Sequence, residues 1–361
     1  HYRNLTAVGI TGSYGKTTTK TFLQHILNGK FRSIMTPKNI NTEIGVAKFI
    51  LQTDFSKYDI FIVEMGAYKI GEIKKLCDLV KPKIGILTAI NEQHLSLFGD
   101  LKSTQQTKYE LLRSLPKNGL AVVNIDNPLC SEYLNELNCN INTFGLDEEK
   151  NPTFLIKDVK RTEKGIYCLG LMDGLEGEVE IPIIGEHNTM NVAPCYLAGK
   201  FLGMKREEIR ERCRTLKLPA GVLDILPYGN CLILDDSYNS NPDGFKAALQ
   251  ILSRFSSNRR RIIITRGMLE LGEKSFALHE QIGEEISLIA EELVIITKDF
   301  AEPLMRGVGT KFKTQVTLLY DHFKLLEYVR GLKNSQAVIL LENRLPSIVY
   351  HELASKHYEI L

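Results

Sequence analysis

At 361 residues the chain is too long for one ordinary compact domain and long enough to bury two cores. Its composition, 43% hydrophobic and 24% charged, is that of a soluble globular protein, and 45 Lys and Arg against 43 Asp and Glu leave a formal charge of +2, which gives no support for a nucleic-acid-coating surface. Seven cysteines without a Cys-x-x-Cys pair read as reduced, buried thiols of a cytoplasmic enzyme; no apolar run is long enough to span a bilayer, and the start His1-Tyr2-Arg3-Asn4 has neither a signal core nor an initiating Met, so a fragment of a longer chain is expected.

Short β-branched runs alternate with amphipathic helix-length runs from the start. Strands are predicted over 5–10, 60–64, 84–90 and 120–125, and helices over 16–27, 71–79 and 105–115. That alternation is the mark of a mostly parallel sheet covered by helices. The section 154–184 breaks the rhythm with Gly-containing turns and reads as antiparallel strands appended to the first domain. Helices follow over 191–202 and 207–216, and Leu218-Pro219-Ala220-Gly221 reads as a hinge. A second series then gives strands over 232–235, 261–265, 293–297, 315–319 and 337–341, with helices over 244–255, 277–290 and 322–332. The expected fold is α/β: a phosphate-loop ATPase domain over 1–217 and a Rossmann-like domain over 218–361.

Between the first strand and helix runs Gly9-Ile10-Thr11-Gly12-Ser13-Tyr14-Gly15-Lys16-Thr17-Thr18. At such a junction backbone N–H groups and the helix N-terminus face phosphate oxygens. Lys16 would reach the terminal phosphates and Thr17 would place its hydroxyl on Mg²⁺, although the general pattern has Gly where Ile10 stands. A dinucleotide fingerprint is the rival reading, but it needs an acidic residue ending the second strand, and Ile34-Met35-Thr36-Pro37-Lys38 offers none. A purely structural glycine turn is the bland alternative.

Three further groups could serve a metal. Glu64 ends the apolar strand Ile60-Phe61-Ile62-Val63-Glu64 at the edge where α/β sheets bind ligands, and is either a Mg²⁺ ligand or a solvated carboxylate. His94, in Asn91-Glu92-Gln93-His94-Leu95, is a second metal ligand or an ordinary surface or core histidine. Lys108 falls on a predicted helix, where a charged side chain is solvated by default.

Taken in order, the loop 11–19, Val63-Glu64-Met65-Gly66-Ala67, Glu92-Gln93-His94-Leu95, Lys108-Tyr109-Glu110, Gly185-Glu186-His187-Asn188-Thr189-Met190-Asn191, Asp235-Asp236-Ser237-Tyr238-Asn239-Ser240-Asn241-Pro242 and Gly267-Met268-Leu269-Glu270-Leu271-Gly272-Glu273 resemble the motifs of the Mur ligase family. The resemblance covers nearly the whole chain and points to the branch that joins a UDP-N-acetylmuramoyl-tripeptide to D-alanyl-D-alanine in peptidoglycan precursor synthesis. It implies ATP and Mg²⁺, with Gly12, Ser13, Tyr14, Gly15, Lys16, Thr17 and Thr18 on the phosphates. Asn188 and Asn191 would lie near the adenine, and Asp236 and Asn241 would close over the nucleotide from the second domain, which also takes the second substrate. Thr17, Glu64, His94 and a carbamylated Lys108 would hold the metal, and Lys16, His94 and Lys108 would be catalytic. Asn188 could instead be a helix N-cap.

The chain departs from the family where Val222 replaces a usual Arg, Ala89 a usual Asn and Arg266 a small or acidic residue, and where Glu342-Asn343-Arg344-Leu345 stands for Lys-Gly-Ser-Arg. It also opens almost on the strand that feeds the loop, where the branch has an N-terminal domain for the UDP-sugar. The expected partners are small molecules, a carboxylate acceptor and an amino acid or dipeptide, acted on by a monomer with no nucleic acid and no membrane span. A Mur ligase with another acceptor and amine, and an ATPase switch or scaffold without ligase activity, are the alternatives.

Overall fold

A computed structural model describes residues 5–37, 40–67, 69–91, 100–162, 165–172, 175–183, 185–219, 221–237, 240–256, 258–309 and 313–354. The chain divides into two compact units, His1–Leu218 and Pro219–Leu361, and each is taken by itself.

The strands of the first unit are β1 (Thr6–Thr11), β2 (Ser33–Met35), β3 (Ile60–Glu64), β4 (Ile84–Leu87), β5 (Leu120–Asn124), β6 (Asn140–Gly145), β7 (Phe154–Thr162), β8 (Gly165–Met172) and β9 (Leu175–Ile181). They form one nine-stranded sheet in the order β2-β3-β1-β4-β5-β6-β7-β8-β9. From β2 to β7 all pairs are parallel, and β8 and β9 close it as an antiparallel meander, as the turns in 154–184 predict. Its helices are α1 (Lys16–Leu27), α2 (Glu43–Gln52), α3 (Glu72–Val80), α4 (Leu101–Arg113), α5 (Pro128–Ser131), α6 (Asn188–Phe201) and α7 (Arg206–Cys213).

The side-chain period of two puts Val8, Ile10, Ile60, Ile62, Ile84 and Ile86 on one face, packed against Phe22 and Leu23 of α1 and Val192 and Leu197 of α6. The opposite face sends Phe61, Val63, Leu87 and Ala121 against Ile73 and Leu76 of α3 and Leu111 and Leu112 of α4. Burial on both faces explains why these strands read as continuous apolar runs, each fully buried side chain contributing about 2 kcal/mol. β1 and β4 are neighbours, and the chain leaves β1 toward β2 on one side and β4 toward β5 on the other. The carboxyl ends of β1, β3 and β4 therefore frame a crevice of the kind that binds ligands in such sheets.

Two helices of the first unit begin three or four residues earlier than the sequence predicts. The one expected over 105–115 starts at Leu101, because the Asp100 carboxylate caps it, accepting from Ser103 N–H at 2.6 Å. The one expected over 191–202 starts at Asn188, with His187 at the cap and no side-chain cap bond, so Asn188 is not the N-cap.

The second unit contains β10 (Asp224–Tyr228), β11 (Cys231–Asp236), β12 (Arg260–Thr265), β13 (Glu292–Ile295), β14 (Gln315–Leu318) and β15 (Ala337–Glu342), in the order β10-β11-β15-β12-β13-β14. Only the edge pair β10 and β11 is antiparallel, and β10 carries Pro227, which an edge strand tolerates. Helices α8 (Pro242–Leu252), α9 (Ser275–Ile289), α10 (Ala301–Val308), α11 (His322–Leu332) and α12 (Ser347–Ala354) cover it over two apolar clusters. Among the described residues no helix is long and apolar enough to cross a membrane. All seven cysteines are free, and six are buried.

Candidate nucleotide and metal site

The loop from Gly12 to Lys16 joins β1 to α1 and is tied to the chain beyond β4 by its own backbone. Ser13 N–H donates to Ala89 O at 2.7 Å, Asn91 N–H to Ser13 Oγ at 3.0 Å, and Thr88 Oγ1 to Tyr14 O at 2.5 Å. Ala89 thus serves through its carbonyl, a task that any side chain allows. Gly12 and Gly15 sit at φ 151° and 78°, and a Cβ on them would lie 2.0 Å from Thr88 Oγ1 and 2.7 Å from Asn191 Oδ1. Only glycine fits either position. The Lys16 ammonium curls back to the loop's own carbonyls, Gly12 O at 2.7 Å and Ser13 O at 3.0 Å. Burial lowers its pKa and Glu64 opposes that shift.

Glu64 is not solvated. At 2% exposure its Oε2 accepts from Thr17 Oγ1 at 3.0 Å and pairs with Lys20 Nζ at 3.0 Å, while Oε1 accepts from Asn41 Nδ2 at 3.2 Å. The parallel register sets this meeting, because Ile10 pairs with Glu64 and Thr17 stands in the first turn of the helix that β1 feeds. Thr17 and Glu64 are hard oxygen donors on facing elements. They suit a magnesium ion, which takes one or two protein oxygens and fills its shell with phosphate and water. Among the described residues no three His, Cys, Asp or Glu side chains gather into a metal cage. Lys20 and Asn41 were not singled out by the sequence reading. Lys20 follows Lys16 by one helical turn, a signal that could have placed both on one face.

Lys108 departs from the default of its type. It lies on the inner face of α4 at 5% exposure, and burial first, then the charge of Lys16, lowers its pKa to about 7. Its neighbours in the motif point elsewhere. Tyr109 Oη donates to Cys130 O inside the core, and Glu110 caps α3, accepting from Gly71 N–H at 2.6 Å and Lys74 N–H at 2.8 Å.

Asn191 lies beside the loop. Its Oδ1 accepts from Thr19 Oγ1 at 3.4 Å, and its Nδ2 donates to Asn188 Oδ1 at 3.1 Å. The structure thus brings Gly12, Ser13, Tyr14, Gly15, Lys16, Thr17, Thr18, Glu64, Lys108, Asn188 and Asn191 into one unit. His94 lies outside the described residues.

Asp236 and Asn241 belong to the second unit. Asn241 caps α8, its Oδ1 accepting from Gly244 N–H at 3.0 Å. Asp236 is in register with Glu342, and Glu342 with Thr265, so the ends of β11, β15 and β12 carry a polar row on one face. Glu342 is wholly buried. Its Oε1 accepts from Ser240 Oγ at 2.5 Å, and its Oε2 has no partner among the described residues. Burial raises the pKa of both carboxyls, and the Asp236 charge lifts that of Glu342 further. Asn343 holds φ 66°, which explains how Asn stands where the family pattern has Gly. Val222 supplies no charge in place of the family Arg.

Two family models match the chain, the Mur ligase middle domain over residues 10–199 and the Mur ligase, glutamate ligase domain over 224–342. It is 30% identical over 281 residues to the UDP-N-acetylmuramoyl-tripeptide–D-alanyl-D-alanine ligase of Bacillus subtilis strain 168, covering 78% of this chain and 60% of that one. To the enzyme of the same name from Escherichia coli K12 it is 29% identical over 323 residues, covering 88% and 70%. The crystal structure of MurF ligase from Thermotoga maritima in complex with ADP superposes with a TM-score of 0.83 at 25% identity, covering 97% of this chain and 78% of that one. The chain thus spans 60% to 70% of the length of these two curated relatives.

Proposed function

The chain belongs to the Mur ligase family, and on that premise we propose that it is the catalytic part of an ATP-dependent carboxylate–amine ligase that adds D-alanyl-D-alanine to a UDP-N-acetylmuramoyl-tripeptide. The observation that carries the reading is the meeting of Thr17 and Glu64 at 3.0 Å beside the Gly12–Lys16 turn, which puts hard oxygen donors next to a phosphate cradle.

In the proposed reaction an acceptor carboxylate oxygen attacks the γ-phosphorus of ATP, the bridging P–O bond breaks, and ADP leaves. The amine nitrogen then attacks the acyl phosphate carbon, and inorganic phosphate departs with the bonding pair as the nitrogen loses its proton. The backbone N–H groups of the loop and the Lys16 ammonium hold the phosphates and stabilise the charge of the transferring group. Magnesium, when bound, neutralises phosphate charge, and Thr17 and Glu64 are the residues that would hold it, with His94 proposed as a further ligand. Lys108 is proposed as the lysine that is carbamylated: CO₂ adds to a neutral amine with loss of a proton, and a pKa lowered to about 7 supports this reading because much of the amine is then neutral. The second unit is proposed to bring the amine and, through Asp236 and Asn241, to contact the nucleotide.

A different amine is the second reading, favoured by the buried acid Glu342 where the D-alanyl-D-alanine branch has a lysine. Phosphate release from ATP with a panel of carboxylate acceptors and amines, with product masses measured, decides between them. Lys16→Ala is expected to abolish turnover, and normal turnover in that variant would sink the assignment. ATP hydrolysis that yields no conjugate with any acceptor would point to a switch instead.

A further inference from the structure

Helix α1 presents two lysines to two different partners. Lys16 faces the loop, and one turn later Lys20, 1% exposed, holds Glu64 Oε2 at 3.0 Å. That oxygen is the one Thr17 also reaches. Glu64 is therefore neutralised from within the protein, and Lys16 is near enough to feel its charge. Among the described residues the ammonium groups of Lys16 and Lys20 stand against the single carboxylate of Glu64.

Such a balance welcomes a polyanion and repels a bare dication. A divalent ion approaching Glu64 meets the Lys20 ammonium on the same oxygen, and in a buried setting like charges a few ångströms apart repel strongly. A bound triphosphate reverses the sign of the local field. We propose that Lys20 is the resident counter-ion of Glu64 and makes metal binding conditional on nucleotide, so that the divalent cation enters only with or after the phosphates. This rests on the reading of Glu64 as a metal ligand. Lys20 is a positioning residue: it acts through Glu64 and touches no reacting atom.

The test uses Mn²⁺ as a paramagnetic probe of the full chain in mildly alkaline buffer, with free ion counted by electron paramagnetic resonance, with and without ADP. Wild type is expected to bind Mn²⁺ much more weakly without ADP than with it. Lys20→Met, and Lys20→Gln, which keeps a hydrogen-bond donor toward Glu64, are expected to tighten ADP-free Mn²⁺ binding by roughly tenfold or more as the repulsion goes. Lys20→Arg keeps the charge and should behave as wild type, and the gain should vanish in Lys20→Met/Glu64→Gln. An unchanged ADP-free affinity in a folded neutral variant overturns the proposal, while a loss of ADP-dependent Mn²⁺ binding in Glu64→Gln leaves the ligand reading standing. No effect of Glu64→Gln on Mn²⁺ affinity with ADP overturns the ligand reading and the proposal with it. Should neither neutral variant fold, wild type decides, since equal affinity with and without ADP also overturns the proposal.

Discussion

A lysine on an amphipathic helix normally reaches water, and nothing local marks Lys108 as different. The fold buries it beside Lys16 and brings its pKa down from 10.5 to about 7. The folded state then binds fewer protons than the unfolded chain between about pH 7 and 10.5, so stability rises with pH across that window and the full burden falls below it. Lys108→Met is expected to stabilise the first unit by roughly 2–5 kcal/mol below neutrality and by little near pH 10, in urea unfolding under CO₂-free conditions. Glu64 shows the converse. Its place at the end of an apolar strand was legible, but its companions were not, since Asn41 comes from a loop 23 residues upstream that carries no signal of its own. The spacing of Lys20 from Lys16 hints at a shared face, but its burial against Glu64 is decided by β3, which the helix cannot announce.

Regular elements were legible wherever apolar residues repeat cleanly, and the predicted helix over 16–27 matches α1 residue for residue. Five of those passed over have a physical excuse. β2 is three residues long and too short to alternate, β6 is the polar run Asn140–Gly145, and α2 leaves Ile44 and Leu51 exposed, which blurs its face. β10 and α10 contain Pro227 and Pro303, which argue against regular structure until their positions at a sheet edge and in a first helical turn are known. The β1–α1 junction is the element on which the site depends. Gly15→Ala would force a left-handed φ of 78° on a Cβ and push it into Asn191 Oδ1 at 2.7 Å. It is expected to cost roughly 2 kcal/mol in thermal unfolding and about tenfold in ADP affinity by calorimetry, because the loop must shift.

Across the molecule each unit holds its own cores, and the two sheets differ in how they meet pH. In the second unit the carboxyls of Glu342 and Asp236 are raised by burial, so the folded state keeps protons that the unfolded chain has lost. Their contribution to stability is full below the ordinary carboxylate range and falls as pH rises toward and through the raised values. Glu342→Gln is expected to flatten that fall and to gain roughly 1–3 kcal/mol at about pH 8 relative to pH 4, read as the difference between wild-type and variant unfolding curves. The departure from the family at Glu342 was visible in the sequence, whereas its burial and the lack of a partner for its second oxygen among the described residues were not, because both depend on β11 and β12 arriving on either side. One feature recurs in both sheets: β1, β3, β11, β12 and β15 are apolar through their middles and turn polar at or just before their carboxyl ends, at Thr11, Glu64, Asp235, Thr265 and Glu342. Packing and polar chemistry are thereby written on different stretches of the same strands, so a change at Val8, Ile60 or Ile262 falls in the core and leaves the polar ends as they are.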